Sequence, residues 1–209
     1  MRSQIVGFEL GFPEAWHLVP KEVPDLAEWA GATATRLVSE AVPDGASATA
    51  EDAAGVLVEQ LSDVVRSVRD TGISNLRTAV LIRHPENGVV DAMLTVGAQR
   101  GMPSAAFVAE LEEVVGRSDG HEFAYAGAIE GTTAAGPVAG MHAMIAHPGE
   151  YGADGSAVLE ERVVLGVFPE GTADMVEVTA VARGVGTFDD MPQQIVDLLA
   201  GLTVEVEEL

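Results

Sequence analysis

The Val158–Leu202 run constrains the fold more than any other stretch, because its hydrophobic period changes part-way along. Val163, Leu165 and Val167 alternate with other residues, so they share one face of a strand. A Pro-Glu-Gly-Thr turn and a second alternating run follow. From Phe188 onward the apolar residues recur every three to four positions, which is typical of a helix. The run therefore predicts two long strands joined by a turn and closed by a helix.

Hairpins and helices alternate along the rest of the chain. The predicted elements are a hairpin of Ile5–Leu10 with Trp16–Val19, two helices between Pro24 and Thr71 separated by a Ser47–Ala50 linker, a hairpin of Leu76–His84 with Val89–Gln99, a helix at Ser104–Val115, an edge-like strand at Glu122–Ile129, a strand at Val138–His147 and an acidic tail after Leu202. This order predicts an α+β fold: a mainly antiparallel sheet flanked by helices on both faces. With 209 residues we expect one domain, 1–209, with an elaborated helical segment at 24–72.

Acidic residues dominate the charge and are distributed unevenly. The formal net charge is −22, and from Asp119 onward sixteen acidic residues face only two basic ones, Arg162 and Arg183. Such a field repels phosphate groups, so we expect neither nucleic-acid binding nor attraction to anionic membranes. An acidic surface is explained by solubility alone. A more specific interpretation is an acidic face that binds a basic protein partner.

Several features predict a cytoplasmic protein. The chain contains no cysteine, which excludes disulfides, thiol catalysis and thiolate metal sites. Met1–Gln4 leads directly into a strand-like run without an apolar leader or a lipid-modified cysteine. The longest apolar stretch, Ala134–Ala146, is too short and too rich in glycine for membrane insertion.

The catalytic motifs all have simpler interpretations. Gly116–Gly120 matches G-x-S-x-G, but a helix precedes Ser118 and a strand follows, which is the reverse of a nucleophile elbow. Lys21, the sole lysine, has no glycine-rich loop before it, so no phosphate loop is predicted. His142 and His147 are five residues apart on one strand, so they point to opposite faces and do not share a metal. We therefore expect no catalytic residue, no metal and no cofactor.

Two sets of residues remain as binding candidates. Trp16 and Trp29, the only tryptophans, are either core anchors or exposed hot spots for a partner. Glu160 and Glu177 lie on strands of the most acidic half and are candidates for a basic partner. In an alternative interpretation, the chain is a small-molecule-binding protein or a cryptic hydrolase whose pocket lies near His84, His142 and His147.

Three segments resemble one known family. Phe8–Trp16 places an aromatic-Pro pair before a tryptophan across a turn, and Gly136–Ala139 reads Gly-Pro-Val-Ala at the start of a strand. The two long strands are followed by a helix ending Ile195–Leu202. In this order the segments resemble PsbP-like proteins over most of the chain. The resemblance implies an antiparallel sheet between helices, in a fold used mostly for binding by photosystem assembly subunits, small-GTPase regulators and bacterial envelope lipoproteins. It implies no shared active site.

The leading hypothesis is a non-enzymatic, cytoplasmic protein-interaction module, acting as an accessory or chaperone-like factor. It rests on the resemblance and on the simpler interpretation of every catalytic motif. A third hypothesis is a structural homodimer joined through an edge strand.

Overall fold

The computed structural model describes residues 3–42, 47–73, 75–117, 122–151 and 157–208. The strands are β1 (Ser3–Glu9), β2 (Trp16–Val19), β3 (Arg77–Leu81), β4 (Ala92–Gln99), β5 (Glu122–Thr133), β6 (Gly136–Tyr151), β7 (Ala157–Val167), β8 (Met175–Arg183) and β9 (Thr203–Glu208). The helices are α1 (Leu26–Ala41), α2 (Ser47–Asp70), α3 (Ser104–Arg117) and α4 (Met191–Leu198), with short 3-10 turns at Pro85–Asn87 and Leu199–Gly201.

Seven strands form one sheet in the order β2-β3-β4-β8-β7-β6-β5, and β1 and β9 form a separate two-stranded sheet. Antiparallel pairing joins β2 to β3 and each successive pair from β5 to β8. The predicted α+β class with a mainly antiparallel sheet is therefore confirmed. The two strands and closing helix of the Val158–Leu202 run are also confirmed, as β7, β8 and α4.

The predicted hairpin of Ile5–Leu10 with Trp16–Val19 is wrong. β1 pairs with β9 instead, with Phe8 opposite Val204, and β2 pairs with β3. The residues after Leu202, expected to be an acidic tail, therefore form a strand. Alternating apolar residues identify a strand, but they do not identify the strand that pairs with it.

The predicted Ser47–Ala50 linker is also wrong, because α2 already begins at Ser47. Thr49, which with Asp52 three positions later resembles a capping box, lies inside the first turn of the helix rather than before it. The alanines on both sides of Thr49 are strong helix formers and favour this earlier start. The turn residues Pro43-Asp44-Gly45 predict that the preceding helix ends there, but they lie outside the described residues, as does Ser118.

The chain divides into two compact units. Unit 1 contains Met1–Phe12 and Leu94–Leu209, and unit 2 contains Pro13–Met93. Unit 2 includes the helical segment 24–72 that the sequence indicates as an elaboration. The prediction of a single domain over 1–209 stays a prediction.

Unit 2 is built on two packed helices. The side chain of Asp25 caps α1 by accepting a hydrogen bond from the Glu28 backbone N–H at 3.0 Å. Ala30 and Ala34 of α1 are fully buried. They belong to one hydrophobic cluster with Leu57 of α2 and with residues of the β2–β3 pair. Small side chains at these positions let the backbones of the packed elements approach closely.

Unit 1 has a core of β-branched and aliphatic side chains. Val163 and Leu165 of β7 lie opposite Ala180 and Val178 of β8, and all four are fully buried. The largest buried side chains of this unit also include three residues of the closing segment: Met191, Ile195 and Leu199. The alternation in the sequence therefore predicts the buried face of these strands correctly.

A buried carboxylate connects three segments of unit 1. Asp174 accepts hydrogen bonds from the backbone N–H groups of Ile5 (3.0 Å) and Gly101 (2.9 Å). Beside it, the hydroxyl of Thr172 donates to the carbonyl oxygen of Ser3 at 2.9 Å. These bonds join β1 to the β7–β8 turn and to the segment that precedes α3.

Candidate functional site

The outer side of β5 is one edge of the seven-stranded sheet. The register of β5 with β6 runs from Glu122 opposite Ala146 to Thr133 opposite Gly136. β5 ends the strand order, so among the described residues no strand pairs with its other side. A strand in this position presents a row of N–H and C=O groups that a further strand can use.

The side chains of β5 leave this edge open. Exposed edge strands are usually protected by lysine, proline or a short length. β5 has twelve residues and contains neither lysine nor proline. Ala124, Ala126 and Ala128 are exposed, and the charged residues of the strand are Glu122 and Glu130. One irregularity in register, between Phe123 and Tyr125, interrupts the pairing near its start.

Tyr125 covers a histidine beside this edge. Tyr125 is 48% exposed, and its ring packs edge-on against His142 of β6, with ring centroids 5.3 Å apart. Gly127 makes room for this arrangement, because a Cβ at that position would collide with the Tyr125 Oη. His142 Nε2 lies 2.9 Å from Glu161 Oε1, and these two side chains are only 13% and 7% exposed. The aromatic ring thus separates a buried histidine–carboxylate pair from solvent.

A second histidine–carboxylate pair lies on the opposite face of the same strands. His147 Nε2 is 3.3 Å from Glu160 Oε2, and Arg162 Nε donates to Glu160 Oε1 at 2.8 Å. Glu160 and Glu161 are adjacent on β7 and therefore point to opposite faces. His142 and His147 therefore also lie on opposite faces of β6, as their five-residue spacing predicts. Within the described part of the chain, no group of three or more His, Cys, Asp or Glu residues could hold a metal ion.

Comparisons with known proteins inform the fold only. No family model and no curated protein matches the sequence. The structure is similar to the solution structure of cyanobacterial PsbP (CyanoP) from Synechocystis sp. PCC 6803, with a TM-score of 0.44 and 11% sequence identity. The match covers 95% of this chain and 87% of that chain. No function follows from this likeness. Among the helices that the structure describes, none is long and apolar enough to cross a membrane.

The candidate partner-binding residues lie at four separate places. Trp29 packs against the hydrophobic cluster of unit 2, and Trp16 is half-buried on β2. Glu160 is held by Arg162, and Glu177 accepts hydrogen bonds from Gln99 and Thr179. No finding tests these four assignments, so they stay predictions.

The environment of Glu177 changes its acidity. Burial raises the pKa of the Glu177 carboxyl, and the negative charge of Glu110 on α3 raises it further. The hydrogen bond from Thr179 opposes part of this effect.

The three histidines of the alternative pocket are separated in the structure. His84 is exposed in unit 2, where its Nδ1 lies 3.2 Å from Glu86 Oε1. His142 and His147 occupy opposite faces of β6, as described above. A pocket at these residues stays a prediction.

Sequence reasoning found β5 as an edge-like strand but missed how far its exposed side extends. The prediction stopped at Ile129, whereas β5 continues to Thr133. The Gly-Thr-Thr run at 131–133 reads as loop because its residues are small and polar. Its pairing with the start of β6 makes it a strand.

Proposed function

We propose that this chain is a non-enzymatic protein-interaction module of the cytoplasm that binds an extended segment of a basic partner protein as an added strand on β5. The observation that carries this proposal is the twelve-residue outer edge of β5, which lacks lysine and proline. Adding a strand to such an edge is a recurrent mode of peptide recognition, in which backbone hydrogen bonds supply the affinity. The cytoplasmic location rests on the acidic, cysteine-free composition.

Charge favours a basic partner over a second copy of this chain. Unit 1 contains twenty acidic and five basic residues, and the whole chain has a net charge of −22. A second copy would bring the same charge and would place further carboxylates near Glu122 and Glu130. A basic segment would instead be attracted to this field and would associate faster at low salt.

The side chains along β5 leave space for an extended partner segment whose side chains alternate between its two faces. Ala126 and Ala128 are exposed and small, so they leave room beside the edge for the side chains of an added strand. Tyr125 offers a half-exposed aromatic ring. A lysine or arginine of the partner at that position would gain a cation–π contact as well as attraction to the acidic surface.

The experiment compares three synthetic peptides of strand length in which valine alternates with lysine, serine or glutamate. Each is titrated into the isotope-labelled protein while the backbone amide resonances are followed by NMR. We expect saturable shifts concentrated at residues 122–133 with the lysine peptide, weaker shifts with the serine peptide and none with the glutamate peptide. High salt should reduce the affinity for the lysine peptide.

A pair of substitutions at one exposed position provides the control. Ala126→Lys should lower the affinity for the lysine peptide about tenfold or more, whereas Ala126→Glu should keep or raise it. Ala105→Lys introduces the same charge on α3 and should have little effect. Equal binding of the lysine and glutamate peptides, shifts that avoid β5, or self-association through β5 would each refute the proposal.

A further inference from the structure

Unit 2 contains an open cleft of about 530 Å³ that the interaction function does not use. It lies between the start of β2, the last turns of α1 and the segment after β3. Leu37 and Ile82 are its largest apolar lining residues, and both are almost fully buried. Its charged lining residues are Glu14, Arg36, Glu40 and Arg83. This volume is in the range of small-molecule sites, and charged groups surround a small apolar surface.

Backbone hydrogen bonds fix the walls of this cleft. The N–H of Trp16 donates to the carbonyl of Pro13 at 2.9 Å, which forms the turn before β2. The N–H of Ile82 donates to the carbonyl of Ala15 at 3.0 Å and continues the β2–β3 pairing. The N–H of Arg83 donates to Asp91 Oδ2 at 2.7 Å. The cleft is therefore preformed, so a ligand would not have to order its walls.

The charges of the cleft differ from those of the rest of the chain. Two carboxylates and two guanidinium groups line it, although the chain as a whole has three acidic residues for each basic one. Arg36 and Glu40 lie one helical turn apart on α1, and their side chains are joined at 3.0 Å. Both signs of charge are therefore available around one apolar surface.

His17 supplies a neutral polar group between these charges. Burial lowers the pKa of the His17 imidazole, and the positive charge of Arg36 lowers it further, while Glu40 raises it in part. The ring is therefore uncharged at neutral pH and has one donor and one acceptor nitrogen. It adds hydrogen-bonding capacity without changing the charge balance of the cleft.

We propose that this cleft binds a small amphoteric molecule, with a carboxylate and an ammonium group on a short apolar body. Guanidinium groups match the planar geometry of a carboxylate, so Arg36 and Arg83 would receive that end. Glu14 and Glu40 would receive the ammonium group, which the carboxyl-terminal end of α1 also favours. The apolar body would lie against Leu37 and Ile82.

The test uses the dipeptide alanyl-leucine, which carries both charges, and two derivatives that each lack one. N-acetylation removes the ammonium group, and C-terminal amidation removes the carboxylate. Each compound is titrated while the His17 ring resonances and the backbone amides of residues 14–18 are followed by NMR. We expect saturable shifts with the free dipeptide and about tenfold weaker binding of each derivative, because each loses one charged contact. Equal binding of all three, or no saturable shift with any of them, would overturn the proposal.

A matched pair of variants locates the binding. Arg36→Gln removes a cation from the cleft, and Arg66→Gln removes one from a comparable exposed pair with Asp63 on α2. We expect a loss of about tenfold in dipeptide affinity for Arg36→Gln and no change for Arg66→Gln. Thermal midpoints of both variants check that the fold is retained. The same affinity change in both variants, or no change in either, would contradict the assignment to this cleft.

Discussion

The two units present different kinds of surface. Unit 1 contains long strands, such as the twelve residues of β5 and the sixteen of β6, and has four acidic residues for each basic one. Unit 2 contains long helices, the sixteen residues of α1 and the twenty-four of α2, over strands of only four and five residues. Its thirteen acidic and six basic residues are also better balanced.

The two surfaces therefore favour different kinds of ligand, as proposed above. A long strand exposes a repeating row of peptide groups, which suits another extended chain. Helix ends and short strands instead bring a few different side chains around a cleft, which suits a small molecule.

Removing one core leucine from each unit should have the largest effect. Leu57 of α2 and Leu165 of β7 are fully buried, so Leu57→Ala and Leu165→Ala should each cost about 2–5 kcal/mol of unfolding free energy. Both tryptophans lie in unit 2, so tryptophan fluorescence reports that unit, whereas far-UV circular dichroism reports the whole chain. Denaturant unfolding followed by both probes measures the two effects.

If 1–209 is a single domain, the two probes should give the same midpoint in each variant. We expect this coincidence. A Leu165→Ala protein that loses circular dichroism at a lower denaturant concentration than fluorescence would show instead that the two units unfold separately.

Truncating the buried carboxylate of unit 1 should have the next largest effect. Asp174→Ala leaves the N–H groups of Ile5 and Gly101 without their acceptor, which should cost about 2–3 kcal/mol. Asp174→Asn retains one acceptor oxygen and should cost less. Hydrogen exchange at the Ile5 amide provides a local measurement. Unchanged protection of this amide in Asp174→Ala would mean that the bond does not hold β1.

Glu177 should give unit 1 a pH dependence that a glutamine removes. The folded protein holds the Glu177 proton more tightly than the unfolded chain does, because burial raises its pKa above the ordinary value of 4.5. Stability therefore falls as pH rises from about 4.5 through the folded pKa. Glu177→Gln should lack this decrease, so its stability relative to the parent protein should grow over that window.

Urea unfolding of both proteins at several pH values measures this difference. Glu59→Gln, at an exposed position of α2, controls for the loss of one negative charge. A Glu177→Gln protein whose relative stability is constant with pH would show that burial of this carboxyl has no energetic consequence.

Breaking an exposed ion pair should have the smallest effect. Arg117 and Glu113 form a pair on α3, and both side chains are more than half exposed. Water and salt screen such pairs, so Glu113→Gln should change the unfolding free energy by less than about 0.5 kcal/mol. A larger loss in thermal unfolding would indicate that the surface of α3 contributes more than exposure suggests.

The parts of the fold that depend on local pattern were predictable from sequence. The alternation around Val163 and the helical spacing from Phe188 gave the correct elements because burial on one face imposes those periods. Pairing over long sequence distances was not predictable in the same way. Nothing near Phe8 indicates that its partner strand lies at Val204, because any alternating run offers a similar edge.

The same limit applies to predicting the candidate sites: local features were predictable, and arrangements over long sequence distances were not. The composition of 122–129 indicated an edge strand, but the open length of β5 depends on the strand order of the sheet. The cleft of unit 2 was missed altogether. Glu14, Arg36 and Arg83 are far apart in sequence, and they come together only because β2 pairs with β3 beside α1.

The pairing of β1 with β9 has a consequence for how the protein is made. Glu9 and Thr203 lie opposite each other at one end of this pair, so the first strand acquires its neighbour only after the residues between them have been synthesised. At the usual speed of a ribosome this takes roughly 10–40 s. During that time Ile5 and Phe8, which are buried in the finished protein, have no β9 to cover them. β1 therefore acquires its partner strand only after all the other strands between them have been synthesised.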